Sequence, residues 1–230
     1  MNAAEHAPPS QETSRQTHRL EVTALDCLRG GWPVFGGLEF KVEGGELLLL
    51  TGPNGSGKSS LLRILAGFLP PAAGQILWDG VPLHGGEEEP PTLGYVGHRN
   101  ALKGSLTLRE DLAFWARFHG RPAHLAEEAL AAFGLASLAE RSGRILSSGQ
   151  ARRLALARLK LIDTPLWLLD EPLVGLDQSA ITALRNEIEH YRGEGGIVLL
   201  ATHQDIWPLD ERRLDLRDHA VSPDALEAGT

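Results

Sequence analysis

Hydrophobic positions fall along this chain in three rhythms, and each predicts a different kind of element. Apolar and polar residues alternate in Leu20-Glu21-Val22-Thr23 and in Leu38-Glu39-Phe40-Lys41-Val42, the period of strands with one buried face. Positions 47–50, 166–169 and 197–201 are unbroken apolar runs of strand length, as expected of central parallel strands covered on both sides. Positions 75–78 and 93–96 read as further strands, the first ending in an Asp79-Gly80 hairpin turn. From 106 to about 161 the rhythm becomes helical. Thr107, with Glu110 three residues on, forms a capping-box pattern ahead of Leu112, Phe114, Trp115 and Phe118. A second amphipathic segment, 124–133, is closed by Gly134. A third, 151–161, offers Leu154, Leu156 and Leu159 for packing and is expected to turn Arg152, Arg153 and Arg158 outward. Helices are also predicted at 58–66, stopped by Gly67 and Pro70-Pro71, and at 178–191. The sum is an α/β core with a helical lobe between its two halves.

Composition narrows the function. The 230 residues suffice for one large domain with an inserted lobe, and 42% of them are hydrophobic. A net charge of −8, with the 22 basic residues scattered, argues against a nucleic-acid surface. The lone cysteine, Cys27, cannot form an internal disulfide and reads as a small buried apolar residue in a reducing compartment. No apolar run approaches the ~20 residues of a spanning helix. The chain is therefore expected to be a soluble cytoplasmic domain, and any transport pathway must be formed by another polypeptide. Residues 1–18 are rich in Ala, Pro, Ser, Gln and Thr and are expected to be a disordered tail; 222–230 look equally loose. That leaves 19–221 as the folded domain, with a helical subdomain at about 98–160. The run Glu87, Glu88, Glu89 in a Pro-rich loop reads as solvated charge rather than a metal site.

Chemistry enters with Gly52-Pro53-Asn54-Gly55-Ser56-Gly57-Lys58-Ser59, followed by Ser60. Glycines let backbone N–H groups wrap a polyphosphate, the next helix points its positive end there, and Lys58 reaches the β- and γ-phosphates. Ser59 is the expected Mg²⁺ ligand, joined by Asp170 at the end of a buried strand. Glu171 comes next, within reach of a water in line with the γ-phosphate. Taken alone, two carboxylates after an apolar run could simply open a solvated loop. Leu146-Ser147-Ser148-Gly149-Gln150 combines a hydroxyl, a flexible backbone and a helix N-terminus without a lysine. It is either an ordinary Ser-capped helix or a second phosphate cradle.

Together with Gly175-Leu176-Asp177 and Thr202-His203, these segments resemble the ATP-binding cassette (ABC) ATPases along almost the whole chain. The resemblance implies a P-loop NTPase fold: a RecA-like core with an antiparallel β lobe and an inserted α-helical subdomain. It implies that Glu171 is the general base, that His203 contacts the γ-phosphate, and that Asp177 lies across a dimer interface. Ser147, Gly149 and Gln150 are then expected to close over ATP held by a second copy, in a head-to-tail dimer with two ATPs. Ser148 stands where the family often has glycine.

Two departures matter. His98 occupies the family's usual glutamine position; an imidazole suits Mg²⁺ poorly, so it is expected to bond a water or phosphate, or to serve coupling to a membrane subunit. The family usually stacks adenine on an aromatic residue between the first two strands; here Arg29 falls nearest that place and Trp32 is a nearby alternative, so one of the two is the candidate contact. With Cys27-Leu28-Arg29, Gly94 to His98, Leu102-Lys103, Leu106-Thr107, Asp111-Leu112, Phe114-Trp115 and Ser147 to Gln150, the chain is most similar to the ATP-binding subunits of the haem exporter in bacterial c-type cytochrome maturation. That resemblance implies integral membrane partners and a peripheral position on the cytoplasmic face of the inner membrane. No Cys-x-x-Cys-His segment is present, so direct haem binding is not expected. The competing readings are another ABC exporter (lipid, lipoprotein or drug), a soluble ABC protein acting on DNA or ribosomes, and an inactive nucleotide-binding regulator. Acidity and the lack of a second cassette disfavour the DNA- or ribosome-acting protein; intact Lys58, Asp170, Glu171 and His203 disfavour the inactive regulator.

Overall fold

The computed structural model describes residues 17–87 and 89–221; most of the expected N-terminal tail, the expected C-terminal tail and Glu88 lie outside them. Two sheets carry the fold. The first is antiparallel, ordered β2-β1-β4-β5, from β1 (Arg19–Arg29), β2 (Trp32–Glu43), β4 (Ala73–Trp78) and β5 (Val81–Pro82). The second is parallel, ordered β6-β7-β8-β3-β9, from β3 (Leu47–Thr51), β6 (Leu93–Val96), β7 (Leu166–Asp170), β8 (Ile197–Ala201) and β9 (Arg213–Asp215). Helix α1 (Lys58–Leu65) follows β3, and α5 (Gln178–Gly193) joins β7 to β8. Between β6 and β7 lie α2 (Leu108–Phe118), α3 (Leu125–Ala132) and α4 (Ser148–Ala157).

The unbroken apolar runs behave as their composition requires. Leu48 and Leu50 of β3 enter one core, with α1 and the antiparallel sheet. Leu47 and Leu49 enter the other, with α5 and the helical lobe. Leu166 and Leu168 of β7 are split from Trp167 and Leu169 in the same way. A strand buried on both faces has no polar side to display, which is why its sequence does not alternate.

The first hairpin is longer than alternation alone predicts. β1 runs on to Arg29 and turns at Gly30-Gly31, with φ of 57° and 84°, into β2 at Trp32. Irregular pairing between Val22 and Leu25 and between Leu25 and Cys27 breaks the two-residue period, hiding the strand from a pattern reading. His18, expected in the tail, is engaged: its carbonyl accepts from Gly44 N–H (2.8 Å), and its Nδ1 stands 2.8 Å from Asp79 Oδ2.

The outward placement expected for two of the three arginines on the third lobe segment does not hold. Arg158 is buried and grips the buried Asp111 of α2, donating from Nε (2.9 Å) and Nη2 (2.8 Å). Its Nη1 bonds the carbonyls of Asn100 and Ala101, and the guanidinium lies 5.0 Å from the Trp115 ring centre. One arginine thus ties α2 and the segment after β6 to the end of α4. Arg152, also buried, belongs to the site below. Asp111→Ala should strand a buried guanidinium and lower stability by about 3–5 kcal/mol. Urea unfolding of the variant measures this, and a loss below about 1 kcal/mol would show the pair to be solvated in practice.

Candidate nucleotide site

Strand β3 ends at Thr51, and residues 52–57 turn the chain into α1. Gly57 caps the helix at φ 102°, and a Cβ there would sit 2.7 Å from Phe35 Cδ1, so only glycine fits. No side chain caps α1, which leaves its first N–H groups facing the loop's hollow. Lys58 is buried, and its Nζ donates to the carbonyls of Gly52 (2.7 Å) and Pro53 (3.1 Å) across that hollow. Burial pushes its pKa below the ordinary lysine value, while the charges of Glu171, Asp170 and Asp215 pull the other way. An ammonium held dry by carbonyls is suited to exchanging them for phosphate oxygens.

Asp170 ends β7 fully buried, and its Oδ1 accepts the Ser59 hydroxyl at 2.8 Å. Its Oδ2 is buried without a hydrogen bond and stands 3.3 Å from His98 Nε2. The same nitrogen lies 3.4 Å from Ser59 Oγ, so His98 joins the phosphate loop and the β7 terminus at one point. Glu171 follows in the left-handed region, φ 49°, a conformation that costs a non-glycine residue free energy and must be held. Its N–H donates to Ala201 (2.9 Å) on β8, and its carbonyl accepts from Arg152 Nη2 (2.9 Å). With its backbone fixed at both ends, Glu171 places Oε1 3.2 Å from His203 Nε2, just beyond β8.

Arg152 is the residue that sequence reasoning misplaced most. From the second turn of α4 it donates to the carbonyls of Asp170 (3.0 Å), Glu171 (2.9 Å), Pro172 (3.2 Å) and Gly97 (2.6 Å). Burial lowers its pKa, opposed by the nearby Asp170 and Glu171 charges. A planar fork with five donors satisfies converging carbonyls that a lysine could not. No spacing rule reveals this, because α4 also carries Arg153, whose Nη2 reaches outward to Asp177 (2.5 Å).

The second cradle lies apart. Ser147 caps α4 and forms a capping box with Gln150: Gln150 N–H donates to Ser147 Oγ (3.2 Å), and Ser147 N–H to Gln150 Oε1 (3.0 Å). A Cβ on Gly149 would come 2.7 Å from the Gly175 carbonyl, so glycine lets α4 touch the loop before α5. Asp177 caps α5 through Ala180 N–H (3.0 Å), which, with the Ser179 hydroxyl, holds its pKa below the carboxylate range. Ser147, Ser148, Gly149, Gln150, Arg153 and Asp177 line a polar hollow that no residue of 52–60 enters. Arg29 and Trp32 stand on the exposed β1–β2 turn, where Trp32 is 67% accessible.

Residues 35–174 match the family model described as ABC transporter. The chain belongs to the ABC transporter family. Its similarity extends to a "Cytochrome c biogenesis ATP-binding export protein CcmA" of Paramagnetospirillum magneticum, 46% identical over 86% of this chain and 94% of the relative. A protein of the same description from Rhodospirillum rubrum is 50% identical over 79% of this chain and 78% of the relative. Among solved structures, a putative ABC transporter ATP-binding protein of Pyrococcus furiosus shares the fold, with a TM-score of 0.75, 21% identity and coverage of 88% of this chain and all of that one. An ATP-binding subunit of an ABC transporter superposes with a TM-score of 0.69 at 28% identity, over 80% and 79% of the two chains. This ABC chain is thus an ATP-binding, ATP-hydrolysing subunit of the CcmA-like kind. Among its described residues no helix is long and apolar enough to cross a membrane.

Proposed function

We propose that the chain powers a membrane complex that handles haem during c-type cytochrome maturation, hydrolysing ATP as a head-to-tail pair on the cytoplasmic face of the inner membrane. The observation carrying this reading is the conjunction of an intact nucleotide site with 43–50% identity to proteins named for cytochrome c biogenesis.

In this reading Gly52 to Ser60 cradle the phosphates, and Lys58 turns from the Gly52 and Pro53 carbonyls to the β- and γ-phosphate oxygens. Mg²⁺ fits the donor set, since buried Asp170 Oδ2 lacks a donor and Ser59 supplies a second hard oxygen. Bound there, the ion would neutralise charge on the phosphates. Glu171 accepts a proton from the attacking water, and His203 at 3.2 Å orients that carboxylate and meets the γ-phosphate. Ser147, Gly149 and Gln150 of a second copy complete the grip, with Asp177 at the seam. Adenine stacks on Arg29 or Trp32, whose exposure suits a face-on contact; at least one of Arg29→Ala and Trp32→Ala should weaken ATP binding by several-fold in calorimetry. Unchanged affinity in both would remove the contact.

A cavity of about 550 Å³ between β6 and the helical lobe supports docking of a membrane subunit there. Phe68, Tyr95, His98, Arg99, Trp115 and His119 help to line it. His98 thereby borders both the docking cavity and the carboxylate of Asp170. Deletion in the source organism followed by haem staining of separated proteins tests the biology. Covalent c-type cytochromes should disappear and return with the wild-type chain but not with Glu171→Gln. Normal staining after deletion would favour another ABC exporter.

A further inference from the structure

Three consecutive carbonyls converge on the buried guanidinium of Arg152. Its Nη2 donates to Asp170 and Glu171 at 3.0 and 2.9 Å, and its Nε to Pro172 at 3.2 Å. Along an extended strand successive carbonyls point to opposite sides, so this convergence needs a break in the strand. Glu171 supplies the break with its left-handed backbone, φ 49°, which a non-glycine residue keeps only where its surroundings hold it. The other end of the fork, Nη1, donates to the Gly97 carbonyl at 2.6 Å and to Asn100 Oδ1 at 3.3 Å. One side chain of α4 thus joins the residue that follows β7 to the segment that follows β6. None of these bonds goes to a carboxylate. An arginine paired with the Glu171 side chain would favour its ionised form and weaken it as a base. One that grips only the main chain fixes where the carboxylate stands and leaves its oxygens to water and His203.

We infer that Arg152 is a positioning residue for hydrolysis: through the main chain of 170–172 it sets where the Glu171 carboxylate meets the attacking water. The inference rests on the reading of Glu171 as the base and goes beyond it by naming the residue that seats that base. A planar fork reaches two segments at once, whereas an ammonium of the same charge is a single point and serves only one. Displacing the carboxylate by about 1 Å is enough to slow the chemical step up to ~100-fold. Nucleotide binding does not feel that shift, because the hydrogen bonds of Arg152 go to 97–100 and 170–172 and none to 52–60.

The test is a double-mutant cycle in the full chain, with hydrolysis of radiolabelled ATP followed in each variant. Arg152→Lys should lower kcat on the order of 10- to 100-fold and leave the KM for ATP within about two-fold of the parent. In the Glu171→Gln background the same change should cost about two-fold at most, because no base is left to seat. A residue that only supports the fold would lower both rates by the same factor, and that result would overturn the inference. So would parental turnover in Arg152→Lys, or a loss confined to KM. Parental turnover in Glu171→Gln is a different failure, since it removes the base reading itself and this inference with it. Should Arg152→Lys not fold, Asn100→Ala decides, because it deletes a single bond at the far end of the fork. It should lower kcat several-fold in the parent and not in Glu171→Gln; no loss in the parent, or equal losses in both, would overturn the inference.

Discussion

Glu171→Gln should slow ATP hydrolysis by at least about 100-fold while leaving nucleotide affinity close to that of the parent. The amide keeps the size and the left-handed backbone position at φ 49° but cannot take a proton from water. The backbone partners that hold the residue, Ala201 and Arg152, are untouched by the change, so structural loss should be small. Removing the carboxylate also removes negative charge from the space that the γ-phosphate enters, so the variant should accumulate as a nucleotide-bound dimer. Phosphate release and light scattering measured together decide the matter. Turnover at the parental rate would remove Glu171 from the role of base and leave His203 without the partner it faces at 3.2 Å.

The parts of this site that were legible in sequence are those governed by local rules. A glycine-rich loop between an apolar strand and a helix announces itself because close backbone approach tolerates no side chain, as the Phe35 contact at Gly57 shows. Central strands are legible because burial on both faces removes polar residues, and Leu47 to Leu50 do divide between two cores. What stayed hidden depends on long-range partners. Arg152 and Arg158 read as solvent-facing because charged residues on a helix usually are. Each is buried only because carbonyls or a carboxylate distant in sequence converge on it: Asp111 lies 47 positions from Arg158. Strand β9, just Arg213 to Asp215, carries no apolar run because it is a short edge beside β3. His98 could be placed at the glutamine position from order alone. Its closeness to both Ser59 and Asp170 required the parallel pairing of β6 with β7.

Ser147→Arg should reduce hydrolysis about 100-fold or more while leaving nucleotide binding to the single chain within a few-fold of normal. Within one copy, the hollow around Ser147 is lined by the helical lobe and the loop before α5, with no contribution from 52–60. A bulky cation at that helix cap therefore has no route to its own phosphate loop. It would enter the site of a partner, where a hydroxyl and free N–H groups are required. Losing the cap costs about 1 kcal/mol, which a melting curve separates from the loss of turnover. Mixing is the stronger form of the test. A dimer of one Ser147→Arg chain and one Glu171→Gln chain has one site in which Glu171 of the first faces Ser147 of the second, both intact, and one site in which both are changed. Random pairing before nucleotide is added should then restore about a quarter of the parental turnover from two inactive proteins, if the two sites act independently. Parental turnover per chain should also fall on dilution as pairs separate. A rate per chain that stays constant down to concentrations where only monomers persist would show that each copy works alone, and the second cradle would revert to an ordinary helix cap.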